Sequence, residues 1–278
     1  MTSARKRRLA DDAARYVATG ESDPMGMGEG RNVLDAMKAY GDELRGALLA
    51  EVRRRERGHR ARRLPRSSAS ASFARQKLEP MVKGLFPAKE REIVLGVLER
   101  SIIFLTRKAT HRLIQDVSFE RTAWDIARIY LDSISAEPPG DEIGIVGMSV
   151  GTECYVSLSY FDDDDPFSDY VVHEAAHIFH NTKRLVVGLP HTRYREWMLD
   201  IAYRKREPFG YACEIYSRIL EQGGRPQRRL SLLDEYSDGP MPSDKRVDAD
   251  ELVDILREAV GARNGWKRIL ARCSPPKS

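Results

Sequence analysis

Apolar residues return every three or four positions over much of the chain, the spacing of helices that bury one side. Val33, Leu34, Met37, Leu44, Leu48, Leu49 and Val52 predict an amphipathic helix near the N-terminus. Ile93, Val94, Val97, Leu98 and Ile102 predict a second over residues 88–107, and Trp124, Ile126, Ala127, Tyr130 and Leu131 a third over 118–133. Val171, Val172, Ala175, Ile178 and Phe179 define another, with Pro166 suited to its first turn. Further on, Ala212, Ile215, Ile219 and Leu220 share one side of a helix that Glu207-Pro208 opens and Gly223-Gly224 ends. Leu252, Ile255, Leu256 and Val260 line a last helix capped by the acidic run from Asp248, and the tail from Ser274 is expected to be loose.

Other stretches keep a period nearer two. Residues 143–147 and 152–161 are rich in β-branched and aromatic residues on either side of Ser149-Val150-Gly151, and they read as a hairpin just upstream of the Val171 helix. Pro138-Pro139-Gly140 breaks the chain before that hairpin, so the helices over 88–107 and 118–133 are expected to buttress the half of the chain that holds the Val171 helix. Trp197, Leu199, Ile201 and Tyr203 alternate with more polar neighbours and suggest a strand or extended segment. The expected fold class is therefore α+β, mostly helical with a small antiparallel sheet. At 278 residues and 41% hydrophobic content the chain can bury one substantial core and a small additional region.

Charge divides the chain unevenly. Residues 1–75 carry 17 Lys and Arg against 10 Asp and Glu, whereas the remainder carries 29 against 32. The basic centre is Arg53-Arg54-Arg55-Glu56-Arg57-Gly58-His59-Arg60-Ala61-Arg62-Arg63, and after it the serine-rich run 67–72 reads as a linker. This predicts a basic helical region over 1–75 and a second domain over 76–278. The basic region suits nucleic acid or an acidic partner, but charge runs are usually solvated faces and no DNA-reading motif accompanies this one. The basic N-terminus lacks the apolar stretch of a signal peptide and no run reaches membrane-spanning length, so a soluble cytoplasmic protein without membrane association is expected. Cys154, Cys213 and Cys273 are odd in number and widely spaced, which suits reduced thiols.

Chemistry concentrates in His173-Glu174-Ala175-Ala176-His177, an HExxH pattern on a predicted helix that uses two of only six histidines. Residues four apart lie on one helical face, so both imidazoles can reach one zinc ion. Glu174 projects beside them, placed to accept a proton from a water molecule without occupying a ligand position. The reading without a metal is a pair of histidines satisfied by hydrogen bonds. A catalytic zinc site usually takes three protein ligands, and Glu214 is the expected third, because a carboxylate in an apolar helix needs a partner. Its alternative is a pair with Arg218 one turn later. His180 is the rival third ligand, but it lies about 10 Å along the axis from His173, too far to share its ion unless the helix breaks, and is expected instead to bond a ligand, line the cleft or simply end the helix as a polar residue. The run 162–165 reads as a cap and solvated turn rather than a calcium loop.

His173, Glu174 and His177, with Glu214 on a later helix, resemble the zincin metallopeptidases in their glutamate-ligand, or gluzincin, branch. The metzincin branch is excluded by His180 and Lys183, where it requires glycine and histidine. The resemblance covers roughly residues 90–222, and the distance to Glu214 is wider than in thermolysin-like enzymes. It implies zinc held by His173, His177 and Glu214, a water activated by Glu174, an edge strand roofing the cleft, and a peptide or protein substrate. Tyr211 is the expected transition-state donor, with Tyr216, Tyr194 and His191 as alternatives. Two other function classes stay open: a DNA- or partner-binding regulator with a metalloprotease-like domain, and a metal-stabilised interaction protein without turnover.

Overall fold

The long helical periodicities become helices where the sequence supplies a cap. Asn32 accepts a hydrogen bond from the Asp35 amide and starts α2 (Val33–Arg55), whose last turn carries Arg53, Arg54 and Arg55 at the negative end of its dipole. Asp248 caps α10 (Ala249–Val260) in the same way through the Glu251 amide. These assignments come from a computed structural model that describes residues 3–23, 25–26, 28–65, 71–140, 145–192 and 195–276. The chain divides into two compact units, Met1–Leu64 with Phe104–Val146 and Val156–Ser159, and Pro65–Ile103 with Gly147–Tyr155 and Tyr160–Ser278.

The first unit is helical. α1 (Ser3–Thr19) and α2 pack together, and α2 also meets α5 (Arg107–Asp116) and α6 (Glu120–Ser133). Leu44, Leu48, Val52, Ile114, Trp124 and Tyr130 fill its core. The apolar stripe predicted for α2 is buried only from Leu44 onward, since Val33, Leu34 and Met37 are 59%, 77% and 43% exposed. In the basic stretch, Glu51 accepts hydrogen bonds from Arg54 and Arg55, and buried Glu56 accepts one from Tyr130. Arg53, Arg57, Arg60 and Arg63 are exposed.

Helix α6, expected to buttress the HExxH region, thus belongs to the first unit, whereas α4 (Ala88–Ser101) belongs to the second. The helix predicted to reach residue 107 stops at Ser101, because Ile102-Ile103-Phe104 fit a pleated strand better than a helix. That strand, β1 (Ile102–Phe104), joins β2 (Gly147–Val150) and β3 (Glu153–Val156) in a three-stranded sheet of order β1-β3-β2, mixed rather than purely antiparallel. A hairpin forms where one was expected, but its first strand is shifted: β2 runs through Ser149 and Val150 of the expected turn, and the chain reverses at Gly151 and Thr152, where Gly151 takes a positive φ of 58°. Ser157 accepts the Ser159 amide and a 3₁₀ turn takes over at Leu158–Asp162, while residues 143 and 144 lie outside the described residues. Residues 67–70 of the expected linker also lie outside them.

In the second unit α7 (Tyr170–Asn181) and α8 (Arg206–Gln222) pack side by side, flanked by α3 (Ala71–Leu85), α10 and α11 (Gly265–Cys273). α9 (Pro226–Ser237) also meets α8. The chain between α7 and α8 forms no named strand among the described residues. It is pinned by Leu199 N to Phe179 O at 2.8 Å, and by buried Arg184, which donates to Glu90 Oε1 at 2.7 Å and to Pro190 O at 3.0 Å. Such a pair replaces strand pairing because Arg184 satisfies carbonyls along an irregular segment.

Candidate metal centre

Helix α7 begins four residues after Pro166, because Asp169, not the preceding acidic run, takes the capping position and accepts the Val172 amide. Asp169 is fully buried, and its carboxylate is also held by Lys77 at 2.8 Å and by the Tyr160 hydroxyl at 3.2 Å. The run before it folds as an exposed turn in which Asp163 and Asp165 each accept an amide two residues on. From that anchored start α7 places His173, Glu174, His177 and His180 on buried positions.

The two outward ring nitrogens are spoken for. His173 Nδ1 donates to Glu214 Oε2 at 2.9 Å, while Glu214 Oε1 accepts the Asp169 amide at 2.7 Å. His180 Nδ1 donates to Asn181 Oδ1 at 3.1 Å, which leaves His180 Nε2 to accept from His177 Nδ1 at 2.9 Å. This arrangement leaves a lone pair on each inward Nε2 atom. The inward atoms lie 3.1 Å apart, and Glu207 Oε2 stands 3.5 Å from His177 Nε2 and 3.8 Å from His173 Nε2. Ligand atoms about 2.0–2.1 Å from a tetrahedral zinc are roughly 3.3 Å from one another, so this set of three suits that ion.

Glu207 therefore takes the place expected for Glu214. Among the described residues, His173, His177 and Glu207 form the group whose ligand atoms converge. Glu214 is spent on the far side of the His173 ring, and the alternative pairing with Arg218 is absent too, since Arg218 donates to Pro166 O and Glu221. Both glutamates lie on one stripe of α8, with Gly210 and Tyr211 between them at positions i, i+3, i+4 and i+7. Gly210 eases the approach of α8 to the imidazoles: a Cβ would come within 3.1 Å of the His173 ring and 3.2 Å of His177 Nε2, closer than ordinary contact. That stripe is the signal that distinguishes the roles. A glycine between two carboxylates marks where α8 approaches the imidazoles.

Electrostatics reflect this crowding. Burial alone would lower the His173 pKa, but Glu207 and Glu214 on either side push it up to about 10, so the surroundings of this ring favour a positive charge. Burial opposes ionisation of Glu207, yet the neighbouring His173 and His177 and the charge of Arg246 hold its carboxyl far below the usual carboxylate range. Arg246 grips the other oxygen, Oε1, at 2.8 Å and is itself held by Asp244. Burial, then the neighbouring His177 and Arg206, lower His180 to about 3, which keeps it neutral and able to accept from His177.

Glu174 is buried beside the pair and faces β2. Burial raises its carboxyl, against the lowering influence of His173, His177 and Ser149. Gly147 permits this approach, because a Cβ at that position would sit 3.0 Å from Glu174 Cγ. Together these groups open onto a cleft of about 610 Å³ lined by β2, by α7 and by the start of α8. Tyr211 does not line it. Its ring packs edge-on against His173 at 4.5 Å, and burial pushes its hydroxyl up to about 12, so the expected donor acts as a wall for the imidazole. Tyr216 packs on Trp266, His191 does not line the cleft, and Tyr194 lies outside the described residues. The polar side chains that do line it beyond the converging group include Tyr203, Arg204 and Arg206.

No family model, no curated protein and no solved structure matches this chain.

Proposed function

We propose that this chain is a zinc-dependent metallohydrolase of the gluzincin type, with His173, His177 and Glu207 as the metal ligands and a peptide as substrate. The observation that carries the reading is the convergence of two imidazole lone pairs and a carboxylate oxygen, with the outward ring nitrogens already committed to hydrogen bonds. A structural histidine pair has no need of that arrangement. Zinc at this position supplies a Lewis acid for the scissile carbonyl and lowers the pKa of water towards about 7.

The remaining steps belong to the chain's own residues. Glu174 lies beside the ligand pair without belonging to it, and its raised carboxyl pKa brings it nearer the proton affinity a general base needs at neutral pH. It takes the proton from the attacking water and passes it to the leaving amine. Strand β2 is an edge strand, with no strand on its other side among the described residues, and it lines the same cleft. An extended peptide can pair with its backbone there, which favours a peptide over a small ester or amide.

Metal analysis and Glu174→Gln test the reading together. Purified protein is expected to hold about one zinc per chain and to cleave members of a random peptide library, with cleavage lost on chelation and restored by zinc. Glu174→Gln should keep the metal and lose cleavage by at least about a hundredfold. Protein that takes up no zinc, or a Gln variant that cleaves at the wild-type rate, would remove the assignment.

A further inference from the structure

The wall of the cleft where α8 begins carries two arginines with nothing to neutralise them. Arg206 Nε is buried and has no hydrogen-bond partner, and neither Arg204 nor Arg206 forms an ion pair among the described residues. The cations around them are engaged, Lys205 by Glu251 and Arg246 by Glu207 and Asp244. The acidic residues lining the cleft, Glu174 and Glu207, both belong to the candidate centre. Tyr203, 83% exposed, lies under the Arg206 guanidinium at 5.3 Å and holds its plane in place.

No ion pair among the described residues offsets these two charges. Two cations at the start of α8 stand at the positive end of its dipole, where acidic residues are stabilising and basic ones are not. A buried guanidinium nitrogen without an acceptor adds a further cost. Placements that oppose local stability are expected where a ligand supplies the missing partner. A guanidinium matches a carboxylate in shape as well as charge, through paired N–H donors.

We propose that Arg204 and Arg206 form a subsite for the side-chain carboxylate of an Asp or Glu in an extended peptide, a preference that rests on the cleft being the peptide site described above. The test reads binding and needs no cleavage. Two pools of short fluorescent random peptides, identical except that Asp and Glu in one become Asn and Gln in the other, are dialysed to equilibrium against zinc-treated Glu174→Gln protein. The acidic pool should be retained about tenfold better. Adding Arg204→Gln and Arg206→Gln should bring the ratio close to one with little change in melting temperature, because the fold loses no hydrogen bond or ion pair, only the exposed stacking of Arg206 on Tyr203. Lysine at both positions should keep part of the preference, and Arg268→Gln, an exposed arginine outside the cleft, should keep all of it. Zinc content of the same samples reports separately on the metallohydrolase reading: a metal-free protein that still prefers the acidic pool retains the subsite and loses the enzyme. Equal retention of the two pools, a preference that survives the glutamine pair, or tighter retention of a single-stranded oligonucleotide than of the acidic pool would overturn the proposal.

Discussion

Glu207 and Glu214 share one stripe of α8 and are set apart by roughly 10 Å of helix rise. That distance decides their roles, because Glu207 reaches the inward nitrogens of both histidines and Glu214 reaches only the outward nitrogen of one. Glu207→Ala should therefore abolish stoichiometric zinc retention, leaving two ligands. Glu214→Ala and His180→Ala should weaken it by about 10- to 100-fold, the range for partners that orient a ligand. Dialysis against graded chelator, then metal analysis, measures all three, and zinc lost with Glu214→Ala but kept with Glu207→Ala would reverse the ligand set. His173, Glu174 and His177 were legible in the sequence because helix geometry alone brings residues four apart together. The third carboxylate was not, since Glu214 in its apolar surroundings gives the stronger local signal of a buried, partnered acid. Which partner it has depends on how α8 lies against α7, and nothing within either segment encodes that directly.

Gly210 shows how the two helices share the site. It sits where α8 comes nearest to the imidazoles, so Gly210→Ala improves helix propensity by up to about 1 kcal/mol and at the same time presses a methyl group onto His173 and His177. The crowding should win at the site even if the helix itself gains. We expect a fall in zinc affinity of at least about tenfold with a much smaller change in melting temperature, read by competitive chelation and by thermal unfolding of the metal-free protein. Unchanged zinc affinity would mean that α8 stands further from α7 than its glycine implies. At this scale the helices with long periodic stripes, α2, α6, α8 and α10, were readable, as was a hairpin ahead of α7, though not where it turns. The end of α4 was not, because Ile102, Ile103 and Phe104 continue its apolar pattern while preferring a strand. Nor was the segment after α7: Leu199 and Ile201 are buried as an alternating strand would require, but Arg184 and single backbone bonds hold them instead of a sheet partner.

All three converging ligand atoms come from α7 and α8 in the second unit, and among the described residues the first unit contributes none. A zinc ion bound there cross-links two helices that otherwise meet through side-chain packing and the bond from Glu214 to His173. By mass action, free zinc a hundredfold above its dissociation constant adds about 2.7 kcal/mol to the stability of any state that retains the site. Openings that separate α7 from α8 forfeit that increment, whereas openings confined to α1 or α2 do not. Chelation should therefore speed amide hydrogen exchange selectively along residues 170–181 and 206–222, and leave residues 33–55 near their zinc-loaded rates. Peptide-resolved hydrogen exchange with and without chelator measures this directly. If residues 33–55 lost protection as strongly as α7, the ion would be stabilising the chain as one cooperative whole. If neither region changed, zinc would not be binding between these helices at all, because a cation held by His173, His177 and Glu207 cannot be removed without loosening the contact it bridges.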